Sequence, residues 1–242
     1  MRISAKRARP LVLGACLLIM LTIAAVLLWR DVFVVRNVIV EGTLSVSDED
    51  VIRAAQIDVG GSIYDVSGEK LKLNLESSGK FAMEGVEIRY PGTVILHVRE
   101  RTRDAMALNG GKILVLDSDG YVVEICSAVP ENSGVYVTGL ETTSYRIGGR
   151  VSAPEEKLAA MKAVTEAVRT QHASVYVSEL NVDDPMNLWI TTRTGIRVEL
   201  GDARSMQGKI LWMCSAVADL ERRGEVKGTL DVSSGTKADY RP

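Results

Sequence analysis

The sequence predicts an α+β protein: a single N-terminal transmembrane helix, a small β-α-α-β-β module, and a larger mixed α+β domain rich in strands. Three observations carry this reading. Residues 11–29, "LVLGACLLIMLTIAAVLLW", are apolar and uncharged. Residues 86–99 alternate apolar and polar side chains on both sides of a Pro-Gly pair, as in a half-buried hairpin. Beyond residue 104, short β-branched runs separate two long stretches of helical periodicity.

Taken in order, residues 1–10 form a short basic tail with Arg2, Lys6, Arg7 and Arg9 and no acid. At a helical rise of about 1.5 Å per residue, the run from Leu11 to Trp29 is long enough for a hydrocarbon core of roughly 30 Å. A cleaved signal peptide is the alternative, but its apolar core is usually shorter and followed by small residues, whereas this run closes in Leu27-Leu28-Trp29-Arg30. The positive-inside rule keeps the basic N-terminus in the cytoplasm and sends the rest out. That remainder holds 24 basic and 31 acidic residues, a formal −7, which disfavours nucleic acid and anionic surfaces as partners.

The first module spans residues 32–103. "VFVVRNVIVE" reads as a strand with Val34, Arg36, Val38 and Val40 on one face. Ser47 precedes three acids and can cap a short helix, and Ser67 can cap a second one, in which Leu71 and Leu75 share a face. On the hairpin, Val86, Ile88 and Tyr90 face one way, as do Val94, Leu96 and Val98, while Glu87, Arg89, His97 and Arg99 take the other side. Pro91 presets the turn and Gly92 is expected to accept a positive φ.

In residues 104–242, "KILVLDSDGYVVEI" reads as a hairpin about Asp119-Gly120, and "GVYVTGL" as a further strand. Ser152 and Glu155 make a capping-box signature before a helix with Leu158, Met161, Val164 and Val168 on one stripe. "SVYVSELNV" and the pair turning at Thr194-Gly195 add three strands. Met206, Ile210, Met213, Val217 and Leu220 mark a last helix, and the tail "GTLDVSSGTKADYRP" supplies one or two strands. Cys126 and Cys214 lie outside the apolar run; they are expected as unpaired thiols, with a single disulfide as the alternative.

Nothing in the chain assembles a reaction. His97 and His172 are the only histidines and stand near no nucleophile motif; Ser205 and Lys209 lack the S-x-x-K spacing; Asp117 and Asp119 lack the further oxygens of a cation loop. No enzyme activity, metal, cofactor or small-molecule substrate is therefore expected.

The layout resembles the FtsQ/DivIB family of bacterial cell-division proteins. "VIVEG" ending at Gly42, the Gly60-Gly61-Ser62 step and "RYPGTVILHVRER" from Arg89 to Arg101 are similar to that family's POTRA module; "LVLDSDGYVV", "YVTGL", "VELG" with Lys209, and the closing "LDV…YRP" are similar to landmarks of its β domain. One departure falls at the junction, where the family's Thr-Pro-x-Ala step is replaced by Thr102-Arg103-Asp104-Ala105.

The resemblance implies a non-catalytic single-pass scaffold at the division septum, with partners of the FtsB/DivIC and FtsL type. It carries partner binding to the C-terminal edge at Leu230, Asp231, Val232, Ala238, Asp239 and Tyr240. An inter-domain joint is expected at Arg99, Glu100 and Arg101. A membrane-anchored enzyme, or an anchored binding module of envelope assembly, remains the competing reading. Residues 229–242 are expected to be separable from the fold.

Overall fold

A computed structural model describes residues 14–23, 32–43, 45–130 and 134–242. By contacts the chain divides into two compact units, Met1–Leu75 with Ala82–Arg99, and Glu76–Phe81 with Glu100–Pro242. Residues 14–23 are helical, and Leu17, Leu18, Ile19, Met20, Leu21 and Ile23 on them are exposed. Among the described residues no helix is long and apolar enough to cross a membrane. The expected span from Leu11 to Trp29 extends beyond them, and both named ends lie outside the described residues.

The first unit holds a three-stranded sheet in the order β1-β3-β2, with β1 at Asn37–Glu41, β2 at Phe81–Arg89 and β3 at Thr93–Glu100. Strand β1 runs parallel to β3, Val38 beside Val94 and Val40 beside Leu96. It starts later than the apolar run suggests. Val35 is drawn to the loop, its N–H donating to Gly61 O at 2.9 Å and its carbonyl accepting from Gly60 N at 2.8 Å.

Helix α1 (Asp48–Ala55) begins at Ser47, whose hydroxyl accepts from the Asp50 N–H at 3.3 Å. Helix α2 (Gly68–Ser77) follows Ser67, with Leu71 and Leu75 buried. Asn74 Nδ2 ties the two together through Ala55 O at 3.0 Å. Val94, Leu96 and Val98 are fully buried, as the alternation requires.

Two expectations for the hairpin turn fail. Tyr90 lies beyond the last residue of β2, so the strand's alternation no longer dictates its direction, and it is 60% exposed. Gly92 does not take a positive φ. A side chain there would meet Val34 O at 2.5 Å, so glycine serves the close passage of the residue 34–36 segment, whose Arg36 N–H donates to Gly92 O at 2.8 Å.

The second unit is a nine-stranded mixed sheet in the order β12-β11-β10-β9-β8-β7-β4-β5-β6. Its strands are β4 (Ala105–Asn109), β5 (Lys112–Leu116), β6 (Val122–Cys126), β7 (Val135–Thr138), β8 (Val177–Asn181), β9 (Leu188–Thr192), β10 (Arg197–Gly201), β11 (Thr229–Asp231) and β12 (Asp239–Arg241). Strand β4 was not foreseen, because "AMALN" is too short and too poor in β-branched residues to declare itself.

Helix α3 (Glu155–Thr170) connects the parallel pair β7 and β8, and α4 (Met206–Arg222) connects the parallel pair β10 and β11. Leu158, Met161 and Val164 of α3 and Ile210, Met213 and Val217 of α4 join one core with Leu114, Val137, Leu180, Ile190, Val198 and Leu230. The alternate positions Met106, Val115 and Val123 form a small cluster on the opposite face, as period-two strands dictate.

The expected cap of α3 is corrected. Ser152 bridges to Ser144 in extended backbone, the helix starts after Pro154 without a side-chain cap, and Glu155 instead grips Arg150 through two bonds of 2.8 Å. Cys126 and Cys214 are free thiols.

Two polar clusters pin this unit. Arg101 and Asp117 pair at 2.5 Å with both side chains 1% exposed. Asp117 Oδ1 also accepts from the N–H groups of Asp119 and Tyr121, at 3.1 and 2.8 Å, and the guanidinium lies 3.9 Å from the Tyr121 ring centroid. At the start of α4, the buried Lys209 donates to Asp202 O at 2.7 Å and to its Oδ1 at 3.2 Å. Arg204 first, then Lys209 and the Arg204 N–H, hold the Asp202 carboxyl down at about 2.

Removing one member of the Arg101 pair strands a buried charge, so Asp117→Ala should destabilise this unit by about 3–5 kcal/mol, and the charge-free double variant Arg101→Met/Asp117→Leu by less. Urea unfolding followed by fluorescence reads this, since Trp189 and Trp212 both lie in this unit. A double variant as unstable as the sum of its singles would contradict the pairing.

Because the Asp202 pKa is depressed on folding, its stabilisation is complete above the ordinary carboxyl value of 3.8 and fades as pH falls toward about 2. Acid titration of Asp202→Asn should accordingly be flatter than wild type across that window.

Candidate partner-binding edge

The C-terminus is built outward from β10. Strand β11 lies parallel to it, with Val198 beside Leu230 and Glu199 beside Asp231. A tight turn follows, closed by Gly235 N–H on Val232 O at 2.9 Å and by Ser233, whose N–H and hydroxyl donate to Asp231 Oδ1 at 3.0 and 2.7 Å. The Ser233 hydroxyl and N–H, in that order, lower the Asp231 pKa. Strand β12 then returns antiparallel, with Tyr240 opposite Leu230 and Asp239 opposite Asp231.

Facing carboxylates repel across a strand pair, and cations offset this here. Lys237 reaches Asp239 at 2.6 Å, and Arg241 reaches Glu199 at 3.0 Å and Asp231 at 3.7 Å. By register, Trp189, Glu199, Asp231 and Asp239 fall in one row across β9 to β12, with Arg197 and Arg241 in the next. Arg197 stacks on Trp189 at 4.3 Å.

Six residues expected at this edge divide by burial, with Asp231 half-buried. Leu230 and Val232 are 1% and 0% exposed and belong to the core, so they shape the edge from beneath. Ala238 and Tyr240 are partly covered and pack against that core. The Tyr240 hydroxyl donates to Lys227 O, and burial first, then Glu225, raises its pKa. Asp239 is exposed. Residues 229–242 are therefore not separable as a whole; Asp239 to Pro242 are the part without a fully buried side chain.

Among the described residues, strand β12 ends the sheet and pairs with β11 alone. Strand β6 ends the other side, but its outer groups at Val122 are already engaged. Gly149 O accepts from its N–H at 2.9 Å and Gly148 donates to its carbonyl at 2.8 Å, next to the Tyr121–Arg150 bridge. The two edges are thus unequal.

The three residues expected at a joint also separate. Arg99 pairs with Glu84 at 3.6 Å in the first unit, the division falls between Arg99 and Glu100, and Arg101 is buried with Asp117 in the second. Sequence reasoning overlooked Arg241, although "YRP" placed a cation beside the tyrosine; its value depends on acids brought alongside from β10 and β11. Among the described residues, no group of His, Cys, Asp and Glu side chains comes together that could hold a metal.

Gly228 controls the fit of β12, with φ at +112° and room for a Cβ blocked by Arg241 O at 2.5 Å. Gly228→Ala should add about 1–3 kcal/mol of local strain and raise amide exchange at residues 239–241 roughly tenfold or more, leaving β8 and β9 protected. Unchanged exchange at 239–241 would contradict this role.

Residues 33–101 match the POTRA domain, FtsQ-type. Across 203 residues, 83% of this chain and 76% of the relative, the sequence is 22% identical to the cell division protein DivIB of Clostridium tetani. The matched POTRA segment coincides with the β-α-α-β-β sheet unit, and the similarity to DivIB extends well past it. The FtsQ-type POTRA match and the similarity to DivIB together support a place for the chain in the FtsQ/DivIB family of bacterial cell-division proteins.

Proposed function

We propose that this cell-division protein is a non-catalytic, single-pass membrane scaffold with its N-terminus in the cytoplasm. It works at the division septum, binding FtsB/DivIC- and FtsL-type bitopic partners through the C-terminal edge and so helping to control septal wall synthesis. The observation that carries this reading is the inequality of the two sheet edges. An edge strand offers N–H and C=O groups to an incoming strand; among the described residues β12 pairs with β11 alone, whereas at the β6 end the outer groups of Val122 are engaged by Gly148 and Gly149.

In this reading Tyr240 supplies the anchoring ring, a large apolar surface with few rotatable bonds. Asp239, Lys237 and Arg241 set the register of the added strand through the neighbouring charge rows. Leu230 and Val232 hold β11, and thereby β12, at the correct height. Residues 32–103 serve as the membrane-proximal spacer and 104–242 as the partner-binding domain, with Leu11 and Trp29 bounding the anchor and Arg99 to Arg101 forming the joint.

Deleting residues 239–242 should abolish binding of the extracytoplasmic segment of an FtsB/DivIC-type partner, measured by titration, while thermal unfolding of the second unit changes little. Wild-type affinity in the shortened chain would refute strand addition. A fluorescent fusion on the N-terminus should form a midcell band that appears with constriction; uniform membrane signal throughout the cycle would refute the septal role.

A further inference from the structure

The first unit carries an aromatic cluster whose two tyrosines are mostly exposed. Phe33, Tyr64 and Tyr90 come from three separate segments, yet their ring centroids lie 5.5, 5.9 and 6.1 Å apart, in tilted and edge-on arrangements. Mutual contact does not bury them, for Tyr64 and Tyr90 remain 61% and 60% exposed. The apolar side chains of Val32 and Val59 are exposed as well, at 41% and 55%. Rings that stack on one another but turn large faces outward are poorly placed in water.

Position in the chain indicates what covers them. Phe33 follows Trp29, the last residue of the apolar run, by four positions. Covalent geometry limits four residues to about 14 Å, and the headgroup layer beyond the hydrocarbon is itself several Å deep. If that run spans the bilayer, Phe33 and the rings against it are tethered at the depth where tyrosine and other amphipathic aromatics concentrate. The neighbouring charges are mixed, Arg30, Arg36 and Arg89 against Asp31, Asp58, Asp65 and Glu87, so these segments carry no basic excess that would draw them to anionic lipid.

We infer that Phe33, Tyr64 and Tyr90 form a membrane-interface foot that seats the first unit on the outer headgroup layer through ring insertion, independently of anionic lipid. The inference rests on the anchor proposed above. It gives the POTRA-type unit a second attachment besides the covalent tether, restricting the tilt of that unit on the bilayer.

The test uses the full chain with its three cysteines replaced by alanine and a bimane label on Tyr64→Cys or Tyr90→Cys, reconstituted in phosphatidylcholine nanodiscs. Lipid bearing a headgroup nitroxide should quench label at either site several-fold more than label on Val175→Cys, a comparably exposed site of the second unit (65%). Adding phosphatidylglycerol should not increase the difference.

Quenching no greater at residues 64 and 90 than at 175 would overturn the inference while leaving the anchor in place. A chain washed from the discs by alkaline carbonate would overturn the anchor and this inference together. Sites that are shielded in cells but unquenched in discs would assign the cluster to a protein partner and also overturn it.

Discussion

The second unit begins with a charge buried among apolar neighbours, and much of its local geometry follows from keeping that charge satisfied. The Arg101 guanidinium is a full charge taken out of water, so its desolvation must be offset by contacts fixed in place. Asp117 supplies the countercharge at 2.5 Å and Tyr121 the ring face beneath the guanidinium. Both partners sit in the β5–β6 turn, whose N–H groups are in turn held by Asp117. The path into β4 is tied to the same turn, because Asp104 N–H donates to Leu116 O and Asp104 Oδ2 accepts from Ser118 N. A chain entering the sheet one residue out of register would strand a full charge. This gives the Arg-x-x-Asp step from Arg101 to Asp104 a strict geometric task without the proline that the family's junction tends to carry.

From that fixed entry the sheet grows in both directions, and the helices decide where it stops. The α3 crossover carries the chain to β8 beside β7, and the α4 crossover returns it to β11 beside β10. Each lays an apolar stripe on the same core. The residues after Val232 can therefore only extend the sheet on its β11 side, where charge pairs hold them together with the partial packing of Ala238 and Tyr240 on the core. Among the described residues this strand pairs with β11 alone, while Leu230 and Val232 stay committed to the core. At the opposite edge the residue 148–150 segment occupies the corresponding position.

The first unit has a different balance. Its sheet has three strands, and its two helices contribute a few fully buried side chains, among them Val51, Ala55, Leu71 and Leu75. Small cores of this kind are marginal, and here local devices support the packing: the Ser47 cap, the Asn74 bond to Ala55 O and the parallel register of β1 on β3. Tyr64 and Tyr90 contribute little buried area to this core for their size.

Most local, periodic features were legible in the sequence. Ser47 before three acids, Leu71 with Leu75, the 86–99 alternation and the α3 and α4 stripes each depend on neighbours within a few residues, so side-chain spacing alone determined the two helices and the hairpin of the first unit and both long helices of the second. The family resemblance likewise rested on an ordered set of short motifs. Tertiary structure decided whatever required distant segments to meet. Ser152 forfeited its cap to a bridge with Ser144; Gly92 proved necessary for close passage of residue 34 rather than for a positive φ; Tyr90 left the sheet to join rings at 33 and 64; and Arg101 became a buried ion paired with Asp117. The physical reason is common to all four: hydrogen-bond partners, steric room and countercharges at these positions come from residues far along the chain, and periodicity records only which face a side chain takes, not what waits on that face.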